Sequence, residues 1–124
     1  MARMTIGREV RFSAAHHLPH VPADHKCHRM HGHSYLVRVE VVGEVREPEG
    51  WVIDFGVLDE QLVEHVRSRL DHRLLNDILP NPTAENLAQW CVRTLAQHLT
   101  AHRLTLVSVE VREGDGGGWA RWQV

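Results

Sequence analysis

The chain is short of cysteine, of long apolar runs and of net charge, and each shortage closes off a class of protein. Its 124 residues hold two cysteines, Cys27 and Cys91, too few for a disulfide framework. No apolar run approaches the roughly 20 residues of a membrane-spanning helix, and the opening residues carry no apolar core of a secretion signal. A reduced, cytoplasmic protein is therefore expected. A formal net charge of −2, without a basic block, gives no general pull toward nucleic acid or anionic membranes. No repeat or low-complexity stretch divides the chain. One domain over residues 1–124 is expected, long enough for a real core and too short for two.

What the chain has in plenty is histidine. Seven of its eleven histidines fall between His16 and His33, and the last two form His31-Gly32-His33. Neutral imidazole is the commonest protein ligand for zinc. In a strand, side chains two apart share a face, so His31 and His33 can converge on one ion.

Periodicity supplies the frame. Val10, Phe12 and Ala14 alternate with Arg11 and Ser13, which reads as a half-buried strand whose parity brings His16 to the apolar face. A polar loop with Pro19 and Pro22 runs to about Arg29. A second strand, from about His31 to Val45, puts Tyr35, Val37, Val39 and Val41 on the side of His31 and His33. After Asp54 the period lengthens. Leu58, Leu62, Val66 and Leu70 form one helical stripe. A second helix opens after Thr83, a fitting N-cap, with Glu85 in its first turn and Ala84, Leu87, Ala88, Cys91, Leu95 and Leu99 as its buried stripe. Val107, Val109 and Val111 then alternate in a third strand whose parity includes Glu113. A glycine-rich turn from Gly114 leads to a last strand, Trp119 to Val124. The order ββααββ is an α+β plan: a four-stranded antiparallel sheet with two helices packed on one face. Its two open edges predict a multimer.

Set against these elements, His16, His31 and His33 are the strongest candidate site, since all three have apolar-face parity and three histidines are a known catalytic zinc set. His17 has the wrong parity, while His20, His25 and His28 sit in the loop. Cys27, near a cation and several imidazoles, reads either as a fourth ligand closing a structural site or as a general base beside the metal. Cys91 belongs to the core. Asp71-His72 offers a carboxylate beside an imidazole, as in proton relays. Glu113 is a paired core charge or a ligand anchor. His98 and His102 have helical metal spacing on a solvated face.

Taken together, Phe12-Ser13-Ala14-Ala15-His16, Cys27-x3-His31-Gly32-His33, Ile53-Asp54-Phe55, Leu70-Asp71-His72-x2-Leu75-Asn76, Pro82-Thr83-x-Glu85-Asn86 and the strand-ending Glu113 resemble the 6-pyruvoyl-tetrahydropterin synthase and 6-carboxytetrahydropterin synthase family. These motifs occur in family order over nearly the whole chain. The resemblance implies the tunnelling fold, with barrel-forming trimers paired into a homohexamer and active sites at subunit interfaces. It implies zinc (Zn2+) at His16, His31 and His33, Cys27 as the catalytic thiol, Asp71 and His72 as a proton relay, and Glu113 as acceptor for the pterin ring. Thr83 matches a pterin-side residue, although its capping role suffices to explain it; Asp54 reads as structural.

The interval of three residues between Cys27 and His31 resembles the bacterial 6-carboxy-5,6,7,8-tetrahydropterin synthase branch, on the route to the deazapurine precursor of queuosine. The expected reaction converts 7,8-dihydroneopterin triphosphate to 6-carboxytetrahydropterin, acetaldehyde and triphosphate, with Lys26, Arg29 and the loop histidines as triphosphate candidates. One departure stands out: Gly114 follows Glu113 where the family usually has Thr. The alternatives are the pyruvoyl-forming branch, which eliminates triphosphate without breaking a carbon–carbon bond, and a non-catalytic zinc-stabilised module. A zinc hydrolase is a weaker fit, for want of an acidic general base close to the ligands.

Overall fold

The structure is a computed structural model and describes residues 2–124. Four strands, β1 (Arg3–His16), β2 (His31–Glu44), β3 (Thr105–Glu113) and β4 (Trp119–Gln123), form one sheet in the order β1-β2-β3-β4. Every neighbouring pair is antiparallel. The helices lie in the β2–β3 connection and cover one face of the sheet. Val10, Phe12, Tyr35, Val37, Val39, Val41, Val109 and Val111 meet them from the strands in a single core. The α+β plan read from periodicity is the plan observed.

The first helix (Phe55–Leu62) continues through a π turn (Val63–Arg67) into a last turn (Ser68–Leu70). Its stripe explains that wide turn. A residue every four positions outruns a helix of 3.6 residues per turn, drifting about 40° at each step. The π turn takes up drift, and Leu58, Leu62, Val66 and Leu70 all end fully buried. Each such side chain contributes roughly 1.5–3 kcal/mol of burial. Asp54 caps this helix by accepting the Gly56 N–H at 2.8 Å. Thr83 caps the second helix (Ala84–Thr100) in the same way, its Oγ1 accepting the Asn86 N–H at 3.1 Å.

Two features depart from the periodic reading. The first strand starts at Arg3, well ahead of Val10, and pairs with β2 along its whole length. In β3, Val107 is an extra residue: Ser108 lies opposite Glu40 and Leu106 opposite Val41. This bulge reverses the parity, so Leu106 enters the core and Val107 does not. Gly43 admits a close approach nearby, since a Cβ there would lie 2.7 Å from Val52 Cγ1. On the sheet's other face Glu110 is buried between Arg121 at 3.0 Å and Arg112 at 3.4 Å. The Ser108 hydroxyl donates to Glu40 at 2.6 Å beside them. The outer edges, β1 and β4, have exposed Met4, Trp119 and Trp122 beside them. Among the described residues no helix is long and apolar enough to cross a membrane.

Candidate metal centre and active site

Strand register builds the site. His16 lies opposite His31 and Ala14 opposite His33, so the end of the β1–β2 pair carries three imidazoles on the helix-facing side. Tyr35 lies opposite Glu113, which brings that carboxylate onto the same face from β3. The imidazole centroids are 4.6 Å apart for His16 and His31, 5.1 Å for His16 and His33, and 5.0 Å for His31 and His33. One nitrogen from each ring lies within 4.8 Å of the others, and among the described residues no other group of this kind forms.

Backbone carbonyls preset two of the rings. His16 Nδ1 donates to the Pro82 carbonyl at 2.8 Å, and His31 Nδ1 donates to the Arg29 carbonyl at 2.8 Å. A carbonyl can only accept, so Nδ1 carries the proton and Nε2 keeps its lone pair for a metal. Burial, opposed by the Pro82 carbonyl, holds the His16 imidazole below its ordinary pKa. Burial also lowers His33, against the pull of Glu113. Both rings are therefore neutral at neutral pH, the state in which imidazole ligates. The donor set is three imidazole nitrogens, which fits zinc with a fourth position left for substrate or water.

Glu113 Oε2 stands 3.7 Å from His16 Nε2 and 3.8 Å from His33 Nε2, at the rim of the cluster. Its backbone is fixed by a tight turn. Glu113 N–H donates to the Gly118 carbonyl at 2.9 Å, and Gly114 takes a left-handed φ of 80°. A Cβ on Gly117 would fall 1.8 Å from the Glu113 carbonyl oxygen, so only glycine fits there.

Cys27 sits on a single 3-10 turn (Lys26–His28) in the loop between β1 and β2, partly exposed. Its sulfur is not in the close group of metal-ligating atoms. Asp71 and His72 dock on the outer edge of β1. Asp71 Oδ1 accepts the Ser13 N–H at 3.0 Å and lies 3.0 Å from His72 Nδ1. The Ser13 hydrogen bond and His72 hold the Asp71 carboxyl below the usual carboxylate range. The His72 N–H donates to the Ser13 carbonyl at 2.6 Å, in a left-handed backbone with φ 58°. That conformation is unusual for a residue with a side chain and is kept where surroundings over-determine it. The His72 side chain is 82% exposed. It lines an open cleft with Ser13, Ala15, Gly32, His33 and Arg73. The fold thus gathers His16, His31, His33 and Glu113, while Cys27 stands in the β1–β2 loop and the Asp71-His72 pair on the outer edge of β1. Thr83 follows Pro82, whose carbonyl holds His16, and serves as the helix cap.

Several contributors were not evident from the residue pattern. Tyr35 belongs to the core stripe, yet its hydroxyl lies 3.3 Å from His16 Nδ1 and 3.4 Å from Nε2. Burial raises its phenol well above the ordinary value. Asn76 clamps the residue after His16: its Oδ1 accepts the His17 N–H at 3.0 Å, and its Nδ2 donates to the His17 carbonyl at 2.9 Å. His98 pairs with His65, not with His102; the two rings stack at 3.6 Å and 5°. Cys91 is fully buried, and its thiol is pushed up to about 12.

Comparison with known proteins gives one family, and relatives with different activities. Residues 5–123 match the family described as 6-pyruvoyl tetrahydropterin synthase. The 6-carboxy-5,6,7,8-tetrahydropterin synthase of Synechocystis sp. is 41% identical over 114 residues, spanning 87% of this chain and 84% of that protein. The dihydroneopterin monophosphate aldolase of Pyrococcus furiosus is 41% identical over 70 residues, spanning 56% of this chain and 59% of that protein. The structure of Caenorhabditis elegans 6-pyruvoyl tetrahydropterin synthase has a TM-score of 0.84 at 26% identity, covering 100% of this chain and 97% of that one.

Proposed function

The chain belongs to the 6-pyruvoyl tetrahydropterin synthase family, and from that premise we propose that it is a zinc-dependent 6-carboxy-5,6,7,8-tetrahydropterin synthase, a carbon–carbon lyase acting as one domain over residues 1–124. The observation that carries the reading is the convergence of His16, His31 and His33 with two Nε2 lone pairs preset by backbone carbonyls. The branch is supported by the Synechocystis relative and by the interval between Cys27 and His31.

The substrate is 7,8-dihydroneopterin triphosphate, and the chain's residues divide its handling. Glu113 accepts hydrogen bonds from the ring N–H and exocyclic amine of the pterin, with Thr83 at the same end. Because Glu113 stands beside the histidine cluster, an anchored pterin directs its side chain, with two adjacent hydroxyls, toward His16, His31 and His33. Those three histidines would hold zinc, which would polarise hydroxyl oxygens and lower the cost of removing their protons. Cys27 as thiolate takes a proton from the side chain, and His72, oriented by Asp71, returns one. Triphosphate leaves, held by Lys26, Arg29 or the loop histidines. One water is then consumed: its oxygen completes the carboxyl group on the first side-chain carbon as the bond to the second breaks in a retro-aldol-like step. The remaining two carbons leave as acetaldehyde, giving 6-carboxytetrahydropterin, on the route to queuosine.

Exposed His72 has no hydrogen bond to Cys27 within one chain. With its side chain 82% exposed, His72 is accessible to a neighbouring subunit, and the relay acts across such an interface in a cytoplasmic homohexamer whose β1 and β4 edges meet neighbours. Sedimentation of the metal-loaded protein reads that assembly.

The test is incubation of zinc-loaded protein with 7,8-dihydroneopterin triphosphate and mass spectrometry of the products. Acetaldehyde with 6-carboxytetrahydropterin is expected. A pyruvoyl product without acetaldehyde assigns the pyruvoyl-forming reaction instead. Cys27→Ala is expected to keep its zinc and lose turnover; undiminished activity in that variant removes Cys27 from its role.

A further inference from the structure

Of the loop histidines, one makes a side-chain bond to the turn that carries Cys27. The loop from His17 to Met30 is pinned by few bonds. His25 N–H donates to the Pro22 carbonyl at 2.9 Å, His28 N–H to the His25 carbonyl at 3.0 Å, and Arg29 N–H to the Lys26 carbonyl at 3.2 Å. None of the residues of the Lys26–His28 turn is buried, so packing does not hold it in place. Cys27 is instead gripped at both backbone groups. Its carbonyl accepts the Leu18 N–H at 2.8 Å, two residues beyond the candidate ligand His16. Its N–H donates to His25 Nδ1 at 3.0 Å. The second of these is the grip made by a side chain.

The geometry points to His25 as a positioning residue for Cys27. The imidazole acts as an N-cap, satisfying the N–H of the second residue of the turn as an Asn or Asp oxygen would. That bond requires Nδ1 to be unprotonated, so His25 uses its acceptor nitrogen here and is not a donor at this contact. Backbone angles at Cys27 set the direction of its Cα–Cβ bond, and hence the arc open to the sulfur. With the cap lost, the turn frays and a smaller share of molecules presents the thiol in its working direction. This inference rests on the reading of Cys27 as the catalytic thiol. His25 is exposed, as His20 and His28 are; what separates it from them is the bond from the Cys27 N–H to its ring, and the backbone of His17 is held by Asn76 instead.

The experiment compares zinc-loaded wild type, His25→Ala and His25→Asn by amide hydrogen exchange at Cys27 and by steady-state kinetics with 7,8-dihydroneopterin triphosphate. Loss of an N-cap corresponds to about 2- to 30-fold in the population of the capped turn. His25→Ala is expected to speed exchange of the Cys27 amide and to lower kcat by factors in that range. KM and zinc content are expected to stay near wild type; a raised KM with unchanged kcat would make His25 a triphosphate contact and overturn the proposal. Asn presents an acceptor oxygen at a similar reach, so His25→Asn restores both protection and kcat. Wild-type exchange in His25→Ala overturns the proposal, as does faster exchange with unchanged kcat. Failure of Asn to rescue also overturns it, because the imidazole then acts by some other means. Full turnover by Cys27→Ala overturns the catalytic reading and this inference with it. Wild-type kcat in His25→Ala beside an inactive Cys27→Ala overturns this inference alone.

Discussion

Replacing Asn76 with Ala removes both halves of a clamp without touching any candidate ligand. The side-chain amide accepts the His17 N–H at 3.0 Å and donates to the His17 carbonyl at 2.9 Å, copying the way a neighbouring strand would pair. Each bond contributes about 0.5–1.5 kcal/mol net, so the pair is worth about 1–3 kcal/mol. Against a typical domain stability of about 5–15 kcal/mol this is large enough to measure. His17 adjoins His16, so a freed backbone there also loosens a ligand. Groups bonded directly to metal ligands are worth about 10- to 100-fold in affinity. Asn76 acts one bond further away, and a loss of about tenfold or less is expected. Urea unfolding of the metal-free protein, followed by circular dichroism, gives the stability. Chelator competition gives the affinity. Asn76→Asp keeps the acceptor but turns an oxygen toward the His17 carbonyl, so it should do no better than Ala. A loss below about 0.5 kcal/mol, the scatter of ordinary surface substitutions, together with unchanged affinity, would refute the clamp.

Two other perturbations test separate parts of the structure. Gly117→Ala drives a Cβ to within 1.8 Å of the Glu113 carbonyl oxygen, so the β3–β4 turn must rearrange. A cost of at least about 1–3 kcal/mol is expected, with weaker pterin binding by fluorescence titration; wild-type behaviour in both would show that the turn does not set Glu113. Burial, then the stacked His98, holds His65 below its ordinary pKa, with Glu64 opposing and Arg69 adding to the shift. The unfolded chain therefore takes up a proton at a higher pH than the folded one. Stability is retained above about pH 6.5 and falls as the pH drops from there through the depressed value. Chemical denaturation from pH 7.5 to 5 should show a shallower decline in His65→Gln, and an unchanged slope would contradict the assignment.

The candidate ligands were legible because their strands are neighbours in sequence and pair in register. Once Val10, Phe12 and Ala14 define an inward face, parity carries His16 with them. The same holds for His31 and His33 beside Tyr35 and Val37. The helical stripes were legible for a similar reason, since Leu87 to Leu99 repeat on the helical period and Leu58 to Leu70 close enough to it to mark one face, with the π turn absorbing the remainder. What stayed hidden depends on partners far away in the chain. The first half of β1 has little apolar alternation because it runs beyond the core, and its exposed Met4 and Arg8 gave no inward face to read. The Val107 bulge arises from how β3 meets β2, and one strand alone does not reveal it. Carbonyls of Pro82 and Arg29 fix two imidazoles, but every residue has a carbonyl and none is marked in sequence. Asn76, through two bonds, and His25, through one, act on main-chain groups, which composition and periodicity do not register.

Cobalt substitution tests the metal centre most directly. Titration of metal-free protein with Co2+ should saturate at one ion per chain. Its absorption should be that of a nitrogen- and oxygen-ligated ion, without a thiolate charge-transfer band, and should be lost in His31→Ala and His33→Ala. A strong thiolate band from Cys27 would mean a closed, four-ligand structural site. Retention of one ion per chain in both histidine variants would mean that the metal sits elsewhere.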